Sequence, residues 1–167
     1  MKTIAPTEIT DNLIDLIGRE WMLISAGRPE GFNLMTASWG EVGYLWNRPV
    51  ATVFVRPERY TFGFIEKTGR FSLSFLEEEH RAVHGVAGAK SGRDTDKVTE
   101  AGLHPLFTET GGIFYEEMRL GLECRVLYAD DIEASKFLDP TLVEEWYGTK
   151  GGFHRMYVAE ITTVYLK

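Results

Sequence analysis

The sequence predicts a mainly β protein, a small antiparallel barrel with short helices, built as one domain over residues 1–167. Three observations lead there. Six segments read as strands, and the two longest lie in the second half of the chain. The helix-like pieces between them are brief. Strands and helices do not alternate regularly, as a doubly wound parallel sheet would require.

Taken in order, Glu20–Ala26, Asn33–Trp39 and Val50–Val55 are short apolar or β-favouring runs punctuated by Gly27, Pro29, Gly31, Gly40, Gly43 and Pro49. Arg70–Phe75 alternates Phe71, Leu73 and Phe75 against Arg70, Ser72 and Ser74, the period of a strand with one buried face. Met118–Tyr128 places Met118, Leu120, Leu122, Cys124, Val126 and Tyr128 on one face, and His154–Tyr165 is a last long run rich in β-formers. Helical pieces are expected at Tyr60–Thr68, Glu77–Val86, Asp94–Ala101 and Thr141–Tyr147, each ending at or near a glycine. Lys150-Gly151-Gly152 reads as a flexible turn before the last strand.

With 167 residues, 44% of them hydrophobic, one domain can bury about two-thirds of the surface its unfolded chain exposes. The formal charge of -7, with no concentrated run of Lys and Arg, argues against nucleic acid as a partner. A single cysteine, Cys124, excludes an internal disulfide and a Cys-rich metal or cluster site. Its apolar neighbours at alternate positions point to a buried thiol. The N-terminus lacks the apolar core of a signal peptide and no run is long enough to span a bilayer, so the expected location is the cytoplasm, with no membrane partner.

Arg56-Pro57-Glu58-Arg59-Tyr60-Thr61 follows an apolar strand and precedes a helix. Two guanidiniums, a hydroxyl and helix-start amides there suit a phosphate, although a solvated helix start with surface arginines has the same composition. Ala89-Lys90-Ser91-Gly92-Arg93-Asp94 sets small residues between two cations and could close over the same anion. Neither a Walker-type loop nor a Gly-x-Gly-x-x-Gly fingerprint occurs, which removes the main support for ATP or Rossmann-type NAD binding. Asn33-Leu34-Met35-Thr36-Ala37-Ser38-Trp39 mixes small side chains and hydroxyls with a large aromatic, a surface for a flat ring or an ordinary edge strand. His80 and His84 stand four apart, but without a third ligand they read as solvent-facing, so no metal site is expected. Glu77-Glu78-Glu79 reads as the acidic start of that helix. His154, after Gly152-Phe153, is the histidine a loop could deliver to a pocket and the candidate for a catalytic role; strand-start bonding to nearby backbone is the simpler alternative.

The order and spacing of Asn33–Gly40, Pro49–Thr61, Phe71–Phe75, Lys90–Asp94 with Asp96-Lys97-Val98, Leu122–Arg125 and His154–Ile161 resemble the flavoredoxin-like branch of the flavin reductase family over nearly the whole chain. The resemblance implies a split β-barrel, antiparallel and Greek-key-like, that binds FMN in a cleft near a homodimer interface. Carried over segment by segment, it implies that Met35, Thr36, Ala37, Ser38 and Trp39 line the isoalloxazine with Asn33 close by. Phe54, Val55, Arg56, Arg59, Tyr60 and Thr61 would hold the ribityl phosphate. Ser74, Phe75 and Leu76 would approach from the next strand, and Ala89, Lys90 and Ser91 would close the phosphate end. The chain departs from the family pattern where Phe153 replaces the Asp of a Gly-Asp-His run, and where Ser74 and Phe75 stand near the position of a frequent Asn.

The expected activity is FMN-dependent electron transfer, either a reductase oxidising NAD(P)H or a carrier that receives electrons from a partner protein. A non-catalytic small-ligand-binding β-barrel is the competitor outside the flavin class, and a pure dimeric scaffold is a further alternative.

Overall fold

A computed structural model describes residues 1–149 and 152–167. Lys150 and Gly151, the first two residues of the expected turn, lie outside the described residues. The strands are β1 (Lys2–Ile4), β2 (Met22–Arg28), β3 (Gly31–Ala37), β4 (Gly40–Leu45), β5 (Arg48–Val55), β6 (Arg70–Leu76), β7 (Pro105–Phe107), β8 (Ile113–Tyr115), β9 (Met118–Asp131) and β10 (Arg155–Leu166). The helices are α1 (Leu13–Asp15), which runs into a π turn at Leu16–Glu20, then α2 (Tyr60–Thr68), α3 (Val83–Ala89), α4 (Lys97–Ala101) and α5 (Thr141–Tyr147).

The main sheet is antiparallel in the order β3-β2-β6-β9-β10-β5-β4, with β1 paired to the end of β10. Phe71, Leu73 and Phe75 face one way from β6, where they meet Met22, Ile24, Met35, Leu120, Leu122 and Cys124 in the principal core. Strand alternation sends Leu23, Leu34 and Leu76 to the opposite face, where Val83 and Ala87 of α3 and the β8 residues Phe114 and Tyr115 cover them. β2 and β6 are therefore buried on both sides. Cys124 is buried, and desolvation pushes its thiol above the ordinary range, so it serves as core.

The six expected strands all form, with limits shifted by up to three residues, and β1, β4, β7 and β8 are additional. β4 is a mostly exposed edge without a clear alternation, and it turns into β5 through Trp46 and Asn47, both at positive φ (51° and 60°). The mirror-image two-residue turn is the one that suits a hairpin, but it is usually signalled by glycine, which this turn lacks. Two further expectations are corrected. Tyr128 does not share the buried face of β9: a bulge opposite Val158/Ala159 shifts the alternation, and Tyr128 is 44% exposed. Glu77–Val86 is not one helix but a 3₁₀ turn at Glu78–His80 followed by the separate α3.

Candidate functional site

β3 and β4 are the two edges of the main sheet, and Ser38 and Trp39 carry the chain from one to the other. At this split the edges leave a cleft of about 400 Å³. Its floor is the small-residue end of β3, Met35, Thr36 and Ala37, continued by Ser38 and Trp39. Phe54 and Arg56 enter from the end of β5 and Arg59 from the N-cap of α2. His154, just before β10, and Trp146 of α5 close the far side, and Trp21, just before β2, closes the near one. A Cβ on Gly40 would sit 2.8 Å from the Thr52 carbonyl oxygen, so glycine is what lets the chain leave the cleft and enter β4 at once.

Polar anchors fix this lining. Thr36 Oγ1 donates to the carbonyl of His84 at 3.0 Å and lies 3.3 Å from Nδ1 of the same residue. Buried Lys97 donates to the carbonyls of Leu34 (2.7 Å) and Ala87 (2.9 Å), tying β3 to α3, and burial lowers its pKa to about 8. Arg59 Nη1 donates to the Gly88 carbonyl at 3.0 Å, and desolvation lowers its pKa. Arg56 Nη2 donates to the Trp146 carbonyl at 3.0 Å, and its guanidinium carbon lies 5.5 Å from the Tyr147 ring centroid. His154 Nδ1 shares a 3.0 Å hydrogen bond with the Tyr147 hydroxyl. Burial, reinforced by Arg56, pushes the His154 imidazole down to about 4, so it is neutral at pH 7. The lining therefore combines two guanidiniums and a neutral imidazole with aromatic and small side chains, and no carboxylate among the lining residues.

Of the residues singled out from sequence, Met35, Thr36, Ala37, Ser38, Trp39, Phe54, Arg56, Arg59 and His154 meet in this cleft. The others do not line it. Val55, Ser74, Phe75 and Leu76 are core residues, and the Ser74 hydroxyl is buried without a hydrogen-bond partner among the described residues. Asn33 Nδ2 donates to Thr61 Oγ1 at 2.8 Å, bracing β3 against α2, and Tyr60 stacks edge-on against Phe64.

The two expected anion loops do adjoin. Besides the Arg59 bond to Gly88, Arg93 Nη1 donates to the Glu58 carbonyl at 3.1 Å, and a Cβ on Gly92 would lie 2.0 Å from Asn33 Oδ1. Ala89, Lys90 and Ser91 nevertheless stay outside the cleft, because Lys90 turns away to an ion pair with Glu100. His84 is not solvent-facing as expected. It is 4% exposed, behind Thr36, and burial lowers its pKa to about 4. The break between the 3₁₀ turn and α3 removes the shared helical face that a spacing of four would give it with His80.

Trp21 and Trp146 had no sequence signal of their own. With Trp39 they bring three of the chain's four tryptophans to one cleft. Each is more than a third exposed, an unusual concentration of indole surface for solvent-facing positions.

Comparison with known proteins decides the family. The profile of the flavin reductase like domain matches residues 15–167. The chain belongs to the flavin reductase-like family. Membership places it among flavin-related oxidoreductases, and its split barrel is the fold of its structural neighbours. One neighbour is a flavoredoxin from Methanosarcina acetivorans, with TM-score 0.69, 23% identity, and coverage of 98% of this chain and 76% of that one. Another is an FMN-binding domain of a flavin reductases-like enzyme from Shewanella baltica, with TM-score 0.69, 16% identity, and coverage of 99% and 76%. A third is an NADH:FAD oxidoreductase from Streptomyces globisporus, with TM-score 0.64, 15% identity, and coverage of 89% and 74%. At these identities the likeness concerns fold. No curated protein matches the sequence. Among the described residues no helix is long and apolar enough to cross a membrane.

Proposed function

We propose that this member of the family binds FMN in the cleft between β3 and β5 and transfers electrons through it, between NAD(P)H or a redox partner and the flavin. The observation that carries the reading is the donor set itself. A strand of small residues runs beside Trp21, Trp39, Met35 and Phe54, giving a slot wide and apolar enough for a flat ring. Arg56 and Arg59 both line it and suit a phosphate, which favours guanidinium donors. The cleft volume, about 400 Å³, lies within the range of small-molecule sites.

When bound, the cofactor supplies acceptance of a hydride or of single electrons. The protein's own residues place and shield it. Arg56 and Arg59 would supply positive charge to the phosphate, and the indoles of Trp39 and Trp146, with ring centroids 5.0 Å apart, would flank the bound group. His154, neutral at pH 7 and fixed through Nδ1 to Tyr147, offers a hydrogen bond without adding a charge that would bias the flavin redox state. We place the subunits as a homodimer joined near the β4 edge, where Tyr44, Leu45, Trp46 and Tyr128 expose an apolar patch.

Anaerobic addition of NADH or NADPH to the FMN-loaded protein separates the two modes. Bleaching of the flavin band by either nicotinamide marks a reductase, whereas persistence of the oxidised spectrum until a reduced protein partner is supplied marks a carrier. If neither nicotinamide nor a chemical reductant changes bound flavin, the redox reading fails.

A further inference from the structure

We propose that Trp21 is a sprung wall of the cleft, held against a glycine-type backbone so that its indole contacts a planar aromatic ligand, and that Arg81 is the positioning residue that latches it. Trp21 has φ 70° and ψ 169°. That combination belongs to a region occupied almost only by glycine, and non-glycine residues found there concentrate at ligand clamps and active sites. Core formation does not explain the choice of residue, since Trp21 remains 37% exposed while its successor Met22 is fully buried.

The chain is pinned on both sides of the strained residue. Glu20 is paired with Arg119 at 2.6 Å, and Met22 begins β2 in register with Ala37 of the cleft floor. Arg81 reaches across from the segment before α3. Its Nη2 donates to the Arg19 carbonyl at 2.7 Å, and its guanidinium carbon lies 5.3 Å from the centroid of the Trp21 ring. His84 meets the indole edge-on at 5.9 Å. Backbone and ring are thus held by one arginine, and the part of the indole that Arg81 and His84 leave uncovered lines the cleft. An electron-rich indole held in this way suits a flat, electron-poor nitrogen heterocycle. That the heterocycle is the isoalloxazine rests on the proposed function; the strain and the latch do not.

The test combines stability of the flavin-free protein with flavin affinity. Trp21→Gly relieves the backbone, so its thermal midpoint stays at or above that of the wild type, whereas Trp21→Ala, which keeps a Cβ, does not recover this. Riboflavin, which lacks the phosphate, isolates the ring contact. Its Kd rises about tenfold in Trp21→Gly and stays within about threefold in Trp21→Phe. Arg81→Met raises Kd in the same direction and shifts tryptophan emission, and Arg81→Lys recovers part of both. Unchanged riboflavin affinity in Trp21→Gly beside normal wild-type binding overturns the proposal, as does a Trp21→Gly protein no more stable than Trp21→Ala. A wild type that binds neither FMN nor riboflavin defeats the flavin reading and the ring contact together, and that outcome differs from both of the others.

Discussion

Thr36, on the floor of the cleft, donates its hydroxyl hydrogen to the main-chain carbonyl of His84 at 3.0 Å. Lys97 repeats the connection one step away, joining Leu34 to Ala87 through its ammonium. The strand that bears the site is therefore held to α3 by buried polar groups as well as by apolar packing, and such groups fix geometry because leaving any of them unmet is costly.

Lys97→Met removes both of its bonds and leaves two carbonyls with fewer partners. A loss of about 1–3 kcal/mol is expected. Urea denaturation at pH 7 reads it, and an unchanged midpoint would show that the ammonium carries no part of the β3–α3 contact.

The histidines give the acid response a definite sign. Burial, with Arg81 nearby, holds His84 at about 4 against an ordinary 6.5, so the unfolded chain takes up a proton that the folded chain refuses. Stability from this group is complete above pH 6.5, declines as pH falls toward 4, and levels off below that, a loss of about 3 kcal/mol at most. His154 titrates in the same window. The drop in stability between pH 7 and pH 4.5 should thus be smaller in His84→Gln than in the wild type but still present; equal drops would contradict a buried neutral His84.

Arg56 and Lys90 separate the two anion loops. Arg56→Ala should weaken FMN binding by roughly 10- to 100-fold, the range of a charged hydrogen bond. Lys90→Ala, which disturbs only the pair with Glu100, should leave the affinity within about twofold. The reverse pattern in a fluorescence titration would move the phosphate to the second loop.

The proposed subunit contact predicts that Trp46→Glu shifts the protein from dimer to monomer in sedimentation equilibrium, because it places a charge amid the exposed apolar patch of Tyr44, Leu45 and Tyr128. A wild type that sediments as a monomer removes that interface.

Much of this architecture was legible because a two-residue period survives translation into structure. Phe71, Leu73 and Phe75 had to share a face, and the glycines after α2 and α4 stopped those helices where expected. Tyr128 was lost because a bulge adds a residue to one strand only, which periodicity cannot reveal. β4 was lost because an exposed edge needs no buried face. Within the site, residue type and position beside strand ends made Arg56, Arg59 and the Met35–Trp39 run candidates without separating them from surface arginines and an ordinary edge strand, and the family resemblance assigned them. Trp21 and Trp146 were not, since their roles arise from which segments a split barrel brings together. Lys90 illustrates the converse, a cation well placed in sequence whose charge is taken by Glu100, ten residues on.

Equilibrium dialysis of purified protein against FMN, read by visible absorbance, tests the central claim most directly. One FMN retained per chain by the wild type, and far less by an Arg56→Ala/Arg59→Ala protein that still folds, is the expected result. A colourless protein that retains no FMN, or a double variant that retains as much as the wild type, would contradict a flavin site between β3 and β5.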